Sequence, residues 1–396
     1  MKIRMVILLL FSLVSFGGPR AALADNQYTA REILRGTVLY RLAAFPNGWL
    51  AVVVNRNDNY RTILIGPYGY RRDITSFMRE SEEDKSTSVK LISDDGTVYF
   101  ETDSLNKGVT TEREFSYLSR DSKDVRVIAT FPHRGLQLSN ASFNSRGELM
   151  VVEYDESALN NTVEYRTLGG GLPIKRTLSL PNRIKRGKAA IYTYFDDQGR
   201  FLISREQYTK NHRKLVDICS GAVQSDVISC ATADQIAKVA NRGKGSISGV
   251  SEGKVLVDNM GRLNLVDSTT FEVAKSFRFP RYNYIYLPYA VGQDLSMLGL
   301  STSSLTPPSK ARMTVVDPFS GSQVYSCDFF PKDSTFVVPW TDSSILTSSH
   351  IYMFVPNHSD KIDEHGTILY EISLSETRFP DSPVVGGCSV IQKRTF

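Results

Sequence analysis

Apolar and polar residues alternate in short runs along most of the chain, and the runs return at a fixed interval. The clearest set follows a glycine each time: Gly48-Trp49-Leu50-Ala51-Val52-Val53, Gly96-Thr97-Val98-Tyr99-Phe100, Gly147-Glu148-Leu149-Met150-Val151-Val152, Gly199-Arg200-Phe201-Leu202-Ile203 and Gly253-Lys254-Val255-Leu256-Val257. Successive glycines are 48, 51, 52 and 54 residues apart. Weaker copies follow around residues 292–300 and 342–349, which makes seven. Alternation with period two is the signature of a strand with two distinct faces. A glycine ahead of it marks a tight hairpin, where positive φ costs least without a Cβ.

A second marker keeps the same beat. An apolar residue precedes proline at Phe131-Pro132, Leu180-Pro181, Phe279-Pro280, Phe330-Pro331 and Phe379-Pro380, with the prolines 49, 99, 51 and 49 residues apart. Proline cannot donate to a further ladder partner, so it belongs at the end of an outer strand. Helical periodicity is scarce. The one candidate helix spans 232–242, where Thr232 can cap, Gln235 stands three residues later and Gly243 stops the run.

A four-stranded unit of this size cannot bury both of its faces alone, so units stack face to face until the last meets the first. The pattern therefore predicts an all-β chain, a seven-bladed β-propeller of four-stranded antiparallel blades. Six or eight blades are the neighbouring possibilities, and a pair of β-sandwiches is the rival architecture. The ring could be closed by the segment 37–40 or by the tail 383–391. Two units show their third strand plainly, Gly261-Arg262-Leu263-Asn264-Leu265-Val266-Asp267 and Ala311-Arg312-Met313-Thr314-Val315-Val316-Asp317. Both resemble the YVTN/PQQ-like, WD40-like propeller repeats, in which a strand runs into Val-Asp, turns, and departs as the last strand. The resemblance implies the superfamily fold. That superfamily includes lyases and quinone-dependent dehydrogenases, but no site motif matches theirs, so no residue role is carried over.

Lys2 and Arg4, an apolar stretch over 5–16 and Ala22-Leu23-Ala24 before Asp25 make a basic, apolar and small-residue succession, read as a signal peptide over 1–24. Residues 25–396 then form a single propeller domain, secreted or periplasmic. An uncut leader serving as a membrane anchor is the alternative, and no later segment is apolar enough to span. Lys2, Arg4 and Arg20 would leave with the leader, taking 47 basic side chains down to 44 against 42 acidic ones. Near-neutral overall charge argues against nucleic acid as a partner and makes any electrostatic recognition local. Four cysteines in an exported chain suggest two disulfides, Cys219 with Cys230 across a hairpin and Cys327 with Cys388, buried free thiols being the alternative. No Cys-x-x-Cys spacing is present, so no metal is implied, and no cofactor either.

The candidate ligand-binding residues are basic: Arg183, Lys185, Arg186 and Lys188, then Arg205, Lys210, Arg213 and Lys214, then Lys238, Arg242 and Lys244. They fall in loops expected on one rim of the ring, where they could hold phosphate, sulfate or carboxylate groups. A solvated surface is the bland reading. A second group, His350, His358, Asp360, Asp363, Glu364 and His365, has the side chains of a general acid–base pair, with His350, His358, His365 and Asp360 the weak catalytic candidates. It reads equally well as a polar loop. Trp49 and Trp340 read as blade-packing residues, Gly169-Gly170-Gly171 as a hairpin turn, and the Asn-x-Ser/Thr triplets at 140, 160 and 357 as bearing no glycan. The function expected is an extracytoplasmic, monomeric binding or scaffold module for a protein or an anionic envelope ligand. The alternative is an extracytoplasmic propeller enzyme, a lyase or hydrolase or a cofactor-dependent oxidoreductase.

Overall fold

The computed structural model describes residues 30–36, 38–45, 47–56, 59–66, 69–78, 84–107, 109–132, 137–155, 162–168, 175–179, 189–208, 213–225, 227–240, 245–259, 262–278, 287–291, 297–302, 311–319, 322–329, 344–346, 350–357, 366–373 and 388–389. The proposed leader, 1–24, lies outside them, as do Trp340 and the triple glycine.

Each repeat becomes a meander of antiparallel strands in chain order. After β1 (Ala30–Gly36), the first sheet holds β2 (Val38–Ala44), β3 (Leu50–Arg56), β4 (Asn59–Ile65) and β5 (Arg71–Asp73), and the second β6 (Lys85–Ile92), β7 (Val98–Asn106), β8 (Val109–Leu118) and β9 (Arg126–Pro132). The third holds β10 (Gln137–Phe143), β11 (Leu149–Asp155), β12 (Thr162–Leu168) and β13 (Lys175–Ser179). The fourth has β14 (Ala189–Phe195), β15 (Arg200–Tyr208), β16 (Arg213–Ala222) and β17 (Ile228–Cys230), and the fifth β18 (Ser246–Ser251), β19 (Lys254–Asn259), β20 (Arg262–Asp267) and β21 (Val273–Arg278). β22 (Leu287–Val291), β23 (Met297–Thr302), β24 (Ala311–Asp317) and β25 (Ser322–Phe329) begin the sixth; β26 (Ser344–Leu346), β27 (His350–Asn357) and β28 (Gly366–Ser373) begin the seventh.

The turn glycines set the phase of the first five sheets. Gly48, Gly96, Gly147, Gly199 and Gly253 all have positive φ, between 71° and 88°. Each leads into the second strand of its sheet, and from there alternate residues face opposite neighbours. Leu50, Val52 and Val54 pack with Tyr352 and Leu369 of the seventh sheet, whereas Trp49 and Ala51 pack with Val98 and Phe100 of the second. Leu149 and Val151 meet Phe115 and Phe131 behind them, and Met150 and Val152 meet Phe201 and Ile203 ahead. Leu202 then joins Val255 and Val257, and Leu256 joins Val316 of the sixth sheet. In the first five sheets the second strand therefore buries both faces, one against each neighbour. That arrangement is a propeller and excludes two facing layers.

The outer strands end where the prolines predict: β9 at Pro132, β13 at Ser179, β21 at Arg278 and β25 at Phe329. Phe379-Pro380 lies outside the described residues, and the outer strand of the seventh sheet comes from the other end of the chain. β1 pairs with β28 from Ala30↔Ile372 to Gly36↔Thr367 and joins the last sheet to the first. This corrects both expectations for closure. The segment 37–40 opens the inner strand β2, and the tail supplies β29 (Cys388–Ser389), a fifth strand beside β25. The sixth sheet is therefore five-stranded rather than four-stranded.

One helix interrupts the described strands, α1 (Ala233–Val239), between β17 and β18. Thr232 caps it with a reciprocal pair of bonds: its hydroxyl accepts from Gln235 N at 3.2 Å, and Gln235 Oε1 accepts from Thr232 N at 2.7 Å. Ile236, Val239 and Ala240 cover Leu215 and Ile218, so α1 takes over the shielding that so short an outer strand cannot give.

Candidate functional site

The turns that carry the glycines interlock around one face of the ring. Asn47 Nδ2 donates to Ile92 O at 2.8 Å and to Asp94 Oδ1 at 3.0 Å, tying the first turn to the second. Ser145 N donates to Asp197 Oδ1 at 2.8 Å, tying the third to the fourth. Arg72 reaches from β5 to the carbonyls of Ser119, Arg120 and Ser122 in the second sheet's last turn. The opposite face carries the connections between sheets. Arg183, Lys185, Arg186, Lys188, Lys210, Arg242 and Lys244 lie outside the described residues. Of Arg213 the structure places the backbone, opposite Tyr208 at the start of β16. Lys214 and Lys238 are exposed, on β16 and on α1, which packs against it.

Arg205 does not belong to that rim. It is 5 % exposed, and its guanidinium grips the carboxylate of Asp217, the residue directly opposite on β16. Counting from Gly199 explains this: Arg205 stands six residues on, the same parity as Phe201 and Ile203, which face the third sheet. Its position aims it into the interface between sheets, and only a carboxylate on the adjoining strand makes such burial tolerable.

Of the acid–base group the structure describes His350 alone; His358, Asp360, Asp363, Glu364 and His365 lie outside the described residues. His350 opens β27 at the turn face, with Nε2 4.0 Å from Glu371 Oε1, and Tyr352 donates its hydroxyl to the same oxygen at 2.9 Å. Asn357 and Gly366, which bracket the stretch containing His358, Asp360, Asp363, Glu364 and His365, form the rung at the far end of β27. That end is roughly 24 Å from His350 at about 3.4 Å per residue. The partners His350 does have, Glu371 and Tyr352, were hidden in alternating strand runs. Among the described residues no His, Cys, Asp and Glu group has the arrangement of a metal site.

A cleft among the described residues lies instead where β1 meets the first sheet. It encloses about 510 Å³ and is lined by Leu34, Val54, Ile63, Arg61, Arg71, Arg72 and Asp73. Strand register decides which of these turn toward it. Val54↔Arg61, Val52↔Ile63↔Asp73 and Leu50↔Ile65↔Arg71 are the rungs, and all share the face turned to the seventh sheet. Arg72, opposite Leu64, belongs to the other face, and its guanidinium is taken up by the second sheet. The cleft thus has an apolar floor and two guanidinium groups with one carboxylate between them. Arg71 donates to Ile33 O across the seam. Arg61 stands 3.8 Å from Asp73 Oδ2 with its side chain 61 % exposed. Asp73 Oδ1 accepts from Thr75 N at 2.9 Å, which closes the short outer strand into a 3₁₀ turn. Because β5 has only three residues, the outer half of β4 is left uncovered, and the cleft opens there.

No protein-family model and no curated protein sequence matches the chain. Among solved structures, the WD40 domain of SCAP from fission yeast is similar with a TM-score of 0.48 at 7 % identity, covering 89 % of this chain and 96 % of that one. An oligogalacturonate lyase in complex with manganese gives 0.45 at 11 %, covering 89 % and 92 %. A protein from Listeria monocytogenes EGD-e gives 0.43 at 10 %, covering 81 % and 90 %. Likeness at this distance carries no argument about what the chain binds.

Proposed function

We propose that the chain is an exported, monomeric propeller of seven blades, one per sheet, that works as a binding module for an anionic ligand. The disulfide between Cys219 and Cys230, on adjacent strands, favours an oxidising compartment and so a cleaved leader. The tail adds to this. β29 sets Cys388 directly opposite Cys327, the same cross-strand relation that Cys219 and Cys230 have, and we assign a second disulfide there.

The observation that carries the reading is the pair Arg61 and Arg71 facing an open cleft with an apolar floor. Arginine remains charged at any physiological pH, so these groups are suited to hold an anion. Leu34, Val54 and Ile63 favour a ligand whose acidic head is joined to an apolar body. Decyl phosphate is a suitable probe, titrated into the full chain. Arg61→Glu, at an exposed position where substitution leaves the fold intact, is expected to weaken it at least tenfold, about 1.4 kcal/mol. Affinity in both Arg61→Glu and Arg71→Glu equal to that of the unaltered chain would contradict the reading.

A further inference from the structure

On the turn face, where β10, β14 and β18 run into their hairpins, a second pocket of about 240 Å³ opens among three consecutive sheets. Phe143, Tyr194, Phe195 and Phe201 form its aromatic wall, and three ionic side chains share it, Asp196, Arg200 and Glu252. Arg200 is fixed from behind. Its Nε donates to Asp196 Oδ2 at 2.6 Å, and Asp196 Oδ1 is held in turn by the backbone N–H groups of Gln198 and Arg200, at 3.0 and 2.8 Å. The terminal nitrogens of Arg200 bond to no described residue, and Nη1 lies against Gly253, 3.3 Å from where a Cβ would stand.

Glu252 is an unusual residue for its position. With Gly253 it forms the two-residue loop between β18 and β19, and both have positive φ, 47° and 74°. A loop of this kind favours asparagine, aspartate or glycine ahead of the glycine, since a longer side chain gains no local bond in return for the steric cost. The Glu252 carboxylate is exposed and makes no hydrogen bond or ion pair with any described residue. The Arg200 guanidinium, held at Nε by Asp196, and the Glu252 carboxylate thus border one small pocket without pairing with each other. Backbone strain kept at a pocket lip is a reason to look for a ligand.

We infer that this pocket binds a small zwitterion carrying a ring, of the chemical class of a free aromatic α-amino acid. Its carboxylate meets the open edge of Arg200, its ammonium meets Glu252, and its ring lies against the aromatic wall. The volume suits a single residue rather than a peptide. The site is independent of the seam cleft, and each can fail without the other.

Calorimetric titration of the full, oxidised chain with L-phenylalanine, phenylacetate and phenethylamine tests the assignment. Phenylalanine is expected to bind at least tenfold tighter than either single-charge analogue. Glu252→Asn is expected to lower phenylalanine to the phenylacetate level while raising the melting temperature, because asparagine suits the loop better. A merely structural glutamate would give the second effect without the first. Arg200→Lys should cost phenylalanine and phenylacetate affinity alike and leave phenethylamine unchanged. Absence of binding by all three compounds, phenylacetate as tight as phenylalanine, or unchanged phenylalanine affinity in Glu252→Asn would overturn it.

Discussion

Asp267 ends the third strand of the fifth sheet and organises the turn after it. Its Oδ1 accepts from Thr269 N at 2.9 Å and Thr270 N at 3.0 Å, and Lys254 donates to Oδ2 at 2.7 Å. The lysine bond, followed by the backbone bond from Thr270, lowers its pKa from 3.8 to about 2. A carboxyl depressed in the folded state contributes stability that is fully present above the unfolded value and lost as pH falls through the folded one. Unfolding midpoints in denaturant should therefore fall between about pH 4 and pH 2 less steeply in Asp267→Asn than in the unaltered chain. Parallel curves would show that the turn gains nothing from the charge. The same Val-Asp pattern was visible in the sequence, and Asp317 repeats it by accepting from Phe319 N at 2.9 Å. Arg205 was less legible. Its neighbours in sequence are basic, but its partner Asp217 stands across a strand pair, and only the count from Gly199 tells which way the side chain points.

At the scale of strands and turns, the glycine beat carried most of the information, since one positive-φ turn glycine in each of the first five sheets fixes which residues face which neighbour. The turn glycines differ in what surrounds them. A Cβ on Gly147 would lie 1.9 Å from the Tyr99 hydroxyl of the preceding sheet, whereas one on Gly199 would meet nothing within 4 Å. Both substitutions carry the positive-φ penalty of about 1 kcal/mol. Gly147→Ala must also displace Tyr99, which packs on Phe143 with ring centroids 5.0 Å apart. Chemical denaturation should show Gly147→Ala destabilised by about 2 kcal/mol or more and Gly199→Ala by about 1. Equal losses would mean that Tyr99 moves aside freely. α1 was legible from Thr232 and Gln235, because a capping box is written locally. The fifth strand β29 was not, since two residues paired to a distant edge leave no periodicity. The seam cleft was equally hidden: Arg61, Arg71 and Leu34 come from three strands, and only their register brings them to one face.

For the whole molecule, the sequence required that the ring shut but was silent on which segment shuts it. Closure by β1 joins residues over 330 positions apart at the rung Ala30↔Ile372, so it must form late, after the chain between has ordered. It also places the seam cleft beside the only sheet built from both ends of the chain among those described. Ile33, Leu50, Val52, Tyr352 and Leu369 share one core across that join, which makes the first and last sheets depend on β1 for their burial. Hydrogen exchange followed by mass spectrometry tests this most directly. Backbone amides of Ala30–Gly36 should exchange as slowly as those of Gly366–Ser373, and deleting the segment through Gly36 should release both Gly366–Ser373 and Leu50–Arg56 to rapid exchange. Fast exchange of Ala30–Gly36 in the intact chain, with β28 still protected, would contradict closure by β1.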